Sequence, residues 1–141
     1  MYLVDTNIWL ERLLDQERSD EVGRFLGQMP STEIVMTDFS FHSMCLIMKR
    51  LDKLDALSSF VNDVFVSSDV HVIHLEPDDT DQIIRAITRY NLDFDDAYQY
   101  AAVEKYDLEL VTFDTDFDPT PRGRKTPVQV LESVKTKPNA Q

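Results

Sequence analysis

Short apolar runs alternate along the chain with stretches that have helical spacing. Four of these runs have the character of buried strands: residues 2–4, 34–36, 70–75 and 109–112. Between them, apolar side chains recur at the i, i+3 and i+4 positions of a helix face. Strands that alternate with one or two helices predict an α/β fold, a three-layer α/β/α sandwich around a mostly parallel sheet.

The end of the chain carries the weakest strand signal. Val128-Gln129-Val130 is interpreted as a possible short fifth strand near an edge, so the predicted sheet has four or five strands. No repeat and no long linker divides the sequence, which predicts a single domain over residues 1–131. Residues 132–141 are polar and are predicted to form a flexible tail.

Acidic residues follow three of the predicted strands. Asp5 follows the first, Asp38 the second, and Asp114 and Asp116 follow the fourth. In open parallel sheets, ligands bind beyond the carboxyl ends of the strands. The topology therefore predicts that these carboxylates converge at one edge of the sheet.

The charge balance changes the interpretation of that edge. The chain has 14 Lys and Arg against 26 Asp and Glu, a net charge of −12, and half of its acids lie in residues 76–118. Converging carboxylates repel one another unless divalent cations or protons offset their charge, although a solvated acidic face would give the same composition. The single Cys45 cannot form an internal disulfide, and no signal peptide or membrane span is recognisable. These features predict a soluble, cytoplasmic protein.

Three short motifs hold the candidate acids. Val4-Asp5-Thr6-Asn7 follows the first strand, with Thr6 and Asn7 available as a helix cap or as support for a ligand. Asp93, Asp95 and Asp96 stand at a helix start, where capping needs at most one or two acids, so at least one is in surplus. Thr112, Asp114 and Asp116 follow the fourth strand. Taken singly, each motif is also compatible with an ordinary turn or cap. A calcium-binding EF-hand is excluded, since Pro119 and Lys125 occupy its required Gly and Glu positions.

Together, Val4-Asp5-Thr6-Asn7, Phe94-Asp95-Asp96-Ala97 and the segment 111–117 resemble the PIN-domain family, especially its VapC-like toxin ribonucleases. The resemblance implies the PIN α/β/α fold, a Mg²⁺ or Mn²⁺ cofactor and hydrolysis of RNA. For toxin members it also implies neutralisation by an antitoxin protein. Asp5 and Asp96 match the first and third acidic positions of the family, and Asp114 matches the fourth. Asp116 is close enough to share or replace that position.

One position departs from the family pattern. Family members usually carry a Glu on the helix after the second strand, and here that position is Ser43, with His42 beside it. Asp38 could compensate from the strand end, or His42 and Ser43 could bind water, substrate or metal. The competing interpretation of His42 is an ordinary helix histidine, because hard cations favour oxygen ligands.

The remaining features leave several alternatives open. Arg122, Arg124 and Lys125 form the only compact basic cluster after the acids, either a clamp for phosphate or a solubilising turn. The high negative charge favours a small RNA footprint or a homodimer that supplies part of the grip. The rival functions are a catalytically degenerate PIN-like binding module, and a metal-dependent phosphatase or receiver-like domain. A receiver would need a suitably placed Lys after a strand, which is absent.

Overall fold

A computed structural model describes residues 1–136 of the chain, without the side chain of residue 136. Its four strands are β1 (Tyr2–Val4), β2 (Ile34–Thr37), β3 (His71–Ile73) and β4 (Glu109–Val111). Its helices are α1 (Thr6–Leu13), α2 (Ser19–Gln28), α3 (Asp38–Arg50), α4 (Leu54–Val61), α5 (Thr80–Tyr90), α6 (Phe94–Tyr106) and α7 (Pro127–Thr136). Short 3₁₀ turns precede β2 and α5 and follow β4, and a π-helical turn, Asn62–Val66, extends α4. None of the described helices is long and apolar enough to cross a membrane.

All four strands are parallel, in the order β3-β2-β1-β4. The chain adds β2 and β3 on one side of β1 and then returns to add β4 on its other side. The order therefore reverses at β1, and in an open parallel sheet such a switch point opens a crevice at the carboxyl ends of the strands. Asp5 and the segment after β4 flank this crevice.

The alternation of side chains along each strand creates two cores. Leu3, Val35 and Leu110 are buried on one face with α5 and α6. Val4 and Met36 belong to the cluster on the other face, with α1, α2, α3 and α7. Because successive strand residues point to opposite faces, apolar runs without alternation are what a sheet covered on both sides requires. The predicted three-layer α/β/α sandwich is confirmed.

The predicted fifth strand at Val128–Val130 is wrong, since these residues lie in α7. Thr126 and Gln129 form a reciprocal cap: the Gln129 side chain accepts the Thr126 N–H at 2.9 Å, and the Gln129 N–H donates to Thr126 Oγ1 at 3.3 Å. Pro127 at the start of the helix already has the required φ. A Thr-x-x-Gln pattern with Pro after Thr is a helix start signal, and it decides this segment against a strand.

Helix α7 overlaps the first part of the predicted tail, residues 132–141. Its range includes residues 132–136, and the helix packs against α2. The last part of that predicted tail, residues 137–141, lies outside the described residues. Val130 and Leu131 of α7 are buried and contribute to the core, whereas Glu132, Val134 and Lys135 are exposed.

Candidate metal centre

The site is assembled by short connections at the carboxyl edge of the sheet. Asp5 is the N-cap of α1 and comes directly after β1. Asp96 lies in the first turn of α6, whose N-cap Asp93 accepts the Asp96 N–H at 2.8 Å. Asp114 follows β4 and caps a 3₁₀ turn by accepting the Asp116 N–H at 2.9 Å. Each acid thus stands where a strand ends or a helix starts, as the capping preference of Asp favours.

Three of the predicted acids form a cluster. Carboxylate oxygens of Asp96, Asp114 and Asp116 all lie within 4.8 Å of one another, and we call these residues the acidic cluster. Among the residues the structure describes, no Lys or Arg forms a salt bridge with any of them. Uncompensated carboxylates at this spacing repel each other and favour a bound cation or a proton.

The pKa of Asp96 reflects its burial and this repulsion. Partial burial, followed by the negative charges of Asp114, Asp93, Asp5 and Asp116, raises the pKa of Asp96 to about 7. A divalent cation would reverse the effect of these neighbours, because it favours the charged carboxylate. The site therefore combines hard oxygen atoms that can bind a metal with a negative charge that no cation of the described residues compensates.

Asp5 lies beside the cluster and is only 7% exposed. Burial raises its pKa, while hydrogen bonds from Gln99, Thr112 and the Thr6 N–H oppose that shift. Oδ1 accepts from Thr6 N and Gln99 Nε2, and Oδ2 accepts from Thr112 Oγ1, each at 2.8 Å. These donors satisfy much of a buried carboxylate that would otherwise be costly to ionise.

Thr112 connects Asp5 to the acidic cluster. Its Oγ1 donates to Asp5 and accepts from Asn7 Nδ2 at 2.9 Å and from the Asp114 N–H at 3.1 Å. Asn7 Oδ1 in turn accepts the N–H of Phe113 at 3.2 Å. This small network holds the start of the Asp114 loop against α1 and fixes the direction of the Asp5 carboxylate.

A pocket of about 320 Å³ opens over these residues. Asp5, Asp96 and Asp114 line it together with four of the predicted supporting residues, Thr6, Asn7, Ser43 and Asp95. Gln99 and three apolar side chains complete the wall: Leu10, Phe39 and Ile47. Asp116 joins the site through the acidic cluster, and Thr112 lies buried beside Asp5.

Besides Asp116 and Thr112, two more predicted candidates lie outside this lining. Asp38 is exposed, and its Oδ1 accepts the Tyr98 hydroxyl at 2.8 Å. His42 is exposed on α3 and does not line the pocket. Of the three residues that could compensate for the missing Glu, Asp38, His42 and Ser43, only Ser43 lines the described pocket.

Sequence reasoning missed Gln99 and Ser40. Both are buried, and Gln99 Nε2 donates to Ser40 Oγ and to Asp5. A signal for Gln99 was present, since it lies three residues after Asp96 on the same helix face and is a lone amide in an apolar stretch of α6. Ser40 carries a weaker signal, its position three residues after the cap Thr37.

The fold and the site define an α/β protein with a candidate metal centre at the switch point of a parallel sheet. Residues 2–123 match the model of the PIN domain, and the chain belongs to this family, as the motifs implied. No curated protein sequence matches the chain.

Several solved structures share the fold. A toxin–antitoxin complex from Klebsiella pneumoniae is 23% identical, with a TM-score of 0.71 over 90% of this chain and 98% of the other. The sarcin–ricin loop cleaving toxin VapC20 of Mycobacterium tuberculosis is 20% identical, with a TM-score of 0.75 over 90% and 100% of the two chains. FitAcB from Neisseria gonorrhoeae is 20% identical, with a TM-score of 0.71 over 91% and 99%.

Proposed function

We propose that the protein is a Mg²⁺- or Mn²⁺-dependent endoribonuclease that hydrolyses RNA phosphodiester bonds. The acidic cluster carries this proposal, because its three carboxylates meet without a cation among the described residues and lie beside buried Asp5 in a PIN fold. Oxygen ligands of this kind suit Mg²⁺ and Mn²⁺ better than softer metals. The residues present therefore fit the metal that the family implies.

In this proposal Asp5, Asp96, Asp114 and Asp116 hold the metal. When bound, divalent cations of this kind activate water and neutralise charge on a scissile phosphate. Thr112 and Asn7 orient Asp5 and the Asp114 loop through their hydrogen bonds. Thr6, Ser43 and Asp95 line the pocket, and in this proposal they contact the substrate.

The substrate footprint is small in this account. No Lys or Arg lines the described pocket, and the net charge of −12 opposes a long nucleic acid. A bound metal would supply positive charge only where the phosphate lies. A homodimer would add further contacts to the RNA.

We further propose that the protein is the toxin of a cytoplasmic toxin–antitoxin pair. The relative from Klebsiella pneumoniae was solved as a toxin–antitoxin complex, and VapC20 is described as a toxin. An antitoxin with basic residues fits this site physically, since an Arg or Lys placed among the carboxylates would offset the charge that a metal otherwise offsets.

The test is cleavage of a mixed pool of single-stranded RNA by wild type and Asp5→Asn. Wild type should cut with Mg²⁺ or Mn²⁺ and stop cutting with EDTA or with the partner encoded beside the gene. Asp5→Asn keeps the side-chain shape and removes one ligand charge, so its rate should fall about a hundredfold or more. The partner should also bind this variant more weakly.

Ser43 favours one second candidate, a degenerate PIN domain that binds without cutting, because the acid usual at this position is missing. Absence of cleavage by wild type with both metals would favour that binding module. If Asp5→Asn cleaves RNA as fast as wild type, the proposed metal site is rejected.

A further inference from the structure

Gln99 lies at the centre of the candidate site but carries no charge and is 1% exposed. Helix α6 presents Asp96 and Gln99 on one face, three residues apart, so that the amide lies one turn deeper than the acid. The mechanism proposed above assigns it no role. A buried amide that hydrogen-bonds to three polar side chains nevertheless restricts which other hydrogen bonds those side chains can form.

Every polar group of the Gln99 amide has a partner. Thr37 Oγ1 donates to Oε1 at 2.7 Å, while Nε2 donates to Asp5 Oδ1 and to Ser40 Oγ, both at 2.8 Å. A flipped amide would place its oxygen against Oδ1 of the Asp5 carboxylate, two acceptors in contact, and would lose the Gln99–Asp5 hydrogen bond. The network therefore admits one orientation, in which an N–H points at Asp5.

This orientation determines which oxygen of Asp5 is available. A carboxylate has roughly four lone-pair directions. On Oδ1, the Thr6 N–H and the Gln99 amide occupy both directions, whereas Oδ2 accepts only from Thr112. One direction on Oδ2 is left without a donor among the described residues, and Asp5 lines the pocket.

We propose that Gln99 is a positioning residue, which saturates Oδ1 so that Asp5 binds the metal through Oδ2 alone. The inference rests on the proposed function, in that it takes Asp5 as a metal ligand. Gln99 acts through Asp5 and does not touch the metal. It also connects β2, through Thr37, to β1, through Asp5, so that the amide holds the carboxylate relative to the sheet.

The experiment is a Mn²⁺ titration followed by the electron paramagnetic resonance signal of free Mn²⁺. Gln99→Met keeps the side-chain length and removes the donor, and its Mn²⁺ dissociation constant should rise about 10- to 100-fold, the usual cost of losing a partner of a ligand. Gln99→Asn keeps the amide on a side chain one methylene shorter, and should show the same direction of change.

Tyr100→Phe is the matched control. Tyr100 is the next residue of α6 and is equally buried, and its hydroxyl accepts the Arg122 N–H at 3.3 Å, away from the metal site. Its loss should lower the melting temperature and leave Mn²⁺ affinity unchanged. A purely structural role of Gln99 would give the same result as this control.

If folded Gln99→Met and Gln99→Asn bind Mn²⁺ as tightly as wild type, the inference is overturned. If the wild-type protein itself binds no Mn²⁺, both the inference and the proposed function are overturned. Loss of binding in Asp5→Asn alone would support the proposed ligand and reject the role of Gln99. If neither Gln99 variant folds, the ¹⁵N side-chain amide signal of Gln99 in wild type decides. It should shift on addition of Mg²⁺, and an unchanged signal while Mg²⁺ binds would reject the role.

Discussion

The acidic cluster and the loop at residues 122–125 are both rich in charge, but their charges are balanced differently. In the loop, each cation has an acid: Arg122 pairs with Asp107 and Arg124 with Asp118 at 2.8 Å, and Lys125 with Glu109 at 2.9 Å. In the acidic cluster, no described Lys or Arg pairs with the carboxylates. The positive charges of the loop are compensated by ion pairs within the protein. The negative charge of the acidic cluster is not compensated and is available to a ligand.

The contacts of the basic cluster favour one of its two interpretations. Sequence reasoning left Arg122, Arg124 and Lys125 open between a phosphate clamp and a solubilising turn. Arg124 also donates to the Thr112 carbonyl at 3.3 Å, and Arg122 to the Leu108 carbonyl at 3.2 Å. Because both guanidinium groups already donate to carboxylates and to backbone carbonyls, the contacts favour a structural role in which Arg122 and Arg124 hold the segment around β4. Charge counted along a sequence therefore does not indicate which charges remain free.

The largest expected effect comes from exchanging one acid in each region for its amide. Asp114→Asn removes a charge from the acidic cluster, and RNA cleavage should fall about a hundredfold or more because the metal is held less tightly. Asp107→Asn is the matched exchange at the acid that pairs with Arg122 of the loop; Asp107 has a left-handed φ of 52°, which Asn also tolerates. Cleavage rates under identical Mn²⁺ concentrations check the pair. Similar losses in both variants would contradict the comparison.

A metal should stabilise the fold through the acidic cluster. At 100 times its dissociation constant, a ligand adds about 2.7 kcal/mol to the free energy of unfolding, and the melting temperature rises accordingly. Asp96→Asn relieves the repulsion, so it should melt higher than wild type in EDTA and should show no rise with Mn²⁺. Melting curves of both proteins with and without Mn²⁺ check this. An equal response to the metal would reject Asp96 as a ligand.

The sequence predicted the parts of the site that follow from strand ends. Asp5 comes directly after β1 and Asp114 three residues after the end of β4, so parallel pairing brings them to one edge. Asp96 was found as a surplus acid at a helix start. Gln99 and Ser40 were missed because buried amides and hydroxyls are common, and only their partners in three dimensions show that they meet at Asp5.

The wrongly predicted fifth strand has a local cause. Two Val residues around Gln129 looked like an alternating strand, but the reciprocal Thr126–Gln129 cap and Pro127 start a helix there. The side-chain direction of Asp38 was not readable from its place after β2, since a hydroxyl from α6 holds it. The local cap pattern was therefore enough to predict α7, whereas the direction of Asp38 depends on a partner from a distant segment, which no local pattern contains.

A new acid at Ser43 should sharpen the contrast between the two regions. Ser43 lines the pocket at the position where the family usually carries Glu, and metal affinity increases with the number of charged ligands. Ser43→Glu should therefore lower the Mn²⁺ dissociation constant by about tenfold and reduce the Mn²⁺ concentration needed for cleavage. Weaker binding in a Mn²⁺ titration would instead mean that Ser43 itself is a working substitute.

The pH dependence of stability in EDTA should also separate the two regions. The pKa of Asp96 rises from its ordinary 3.8 to about 7, chiefly through burial and the charge of Asp114. Between these values the folded protein holds a proton that the unfolded chain has lost, so the free energy of unfolding falls as pH rises from about 4 to 7. The raised pKa of Asp5 acts in the same direction.

The melting temperature in EDTA should accordingly be a few °C lower at pH 8 than at pH 5. Asp96→Asn should reduce this difference, whereas Asp107→Asn should keep it, since Asp107 is not one of the carboxylates of the acidic cluster. Scanning calorimetry of the three proteins at both pH values checks the sign. A wild type that becomes more stable as pH rises would contradict the crowding of the acidic cluster.

The smallest effect is expected in the loop itself. Lys125 and Glu109 are both substantially exposed, at 37% and 50% of their side chains, and pairs of this kind contribute only about 0–1 kcal/mol. Lys125→Ala should therefore change the unfolding free energy by no more than that, as measured by urea titration. If the loop's cations serve internal pairs, the same variant should leave the KM for RNA and its dependence on salt unchanged. A several-fold rise in KM with a weaker salt dependence would show instead that Lys125 leaves Glu109 to contact phosphate, because each lost phosphate contact reduces the salt slope.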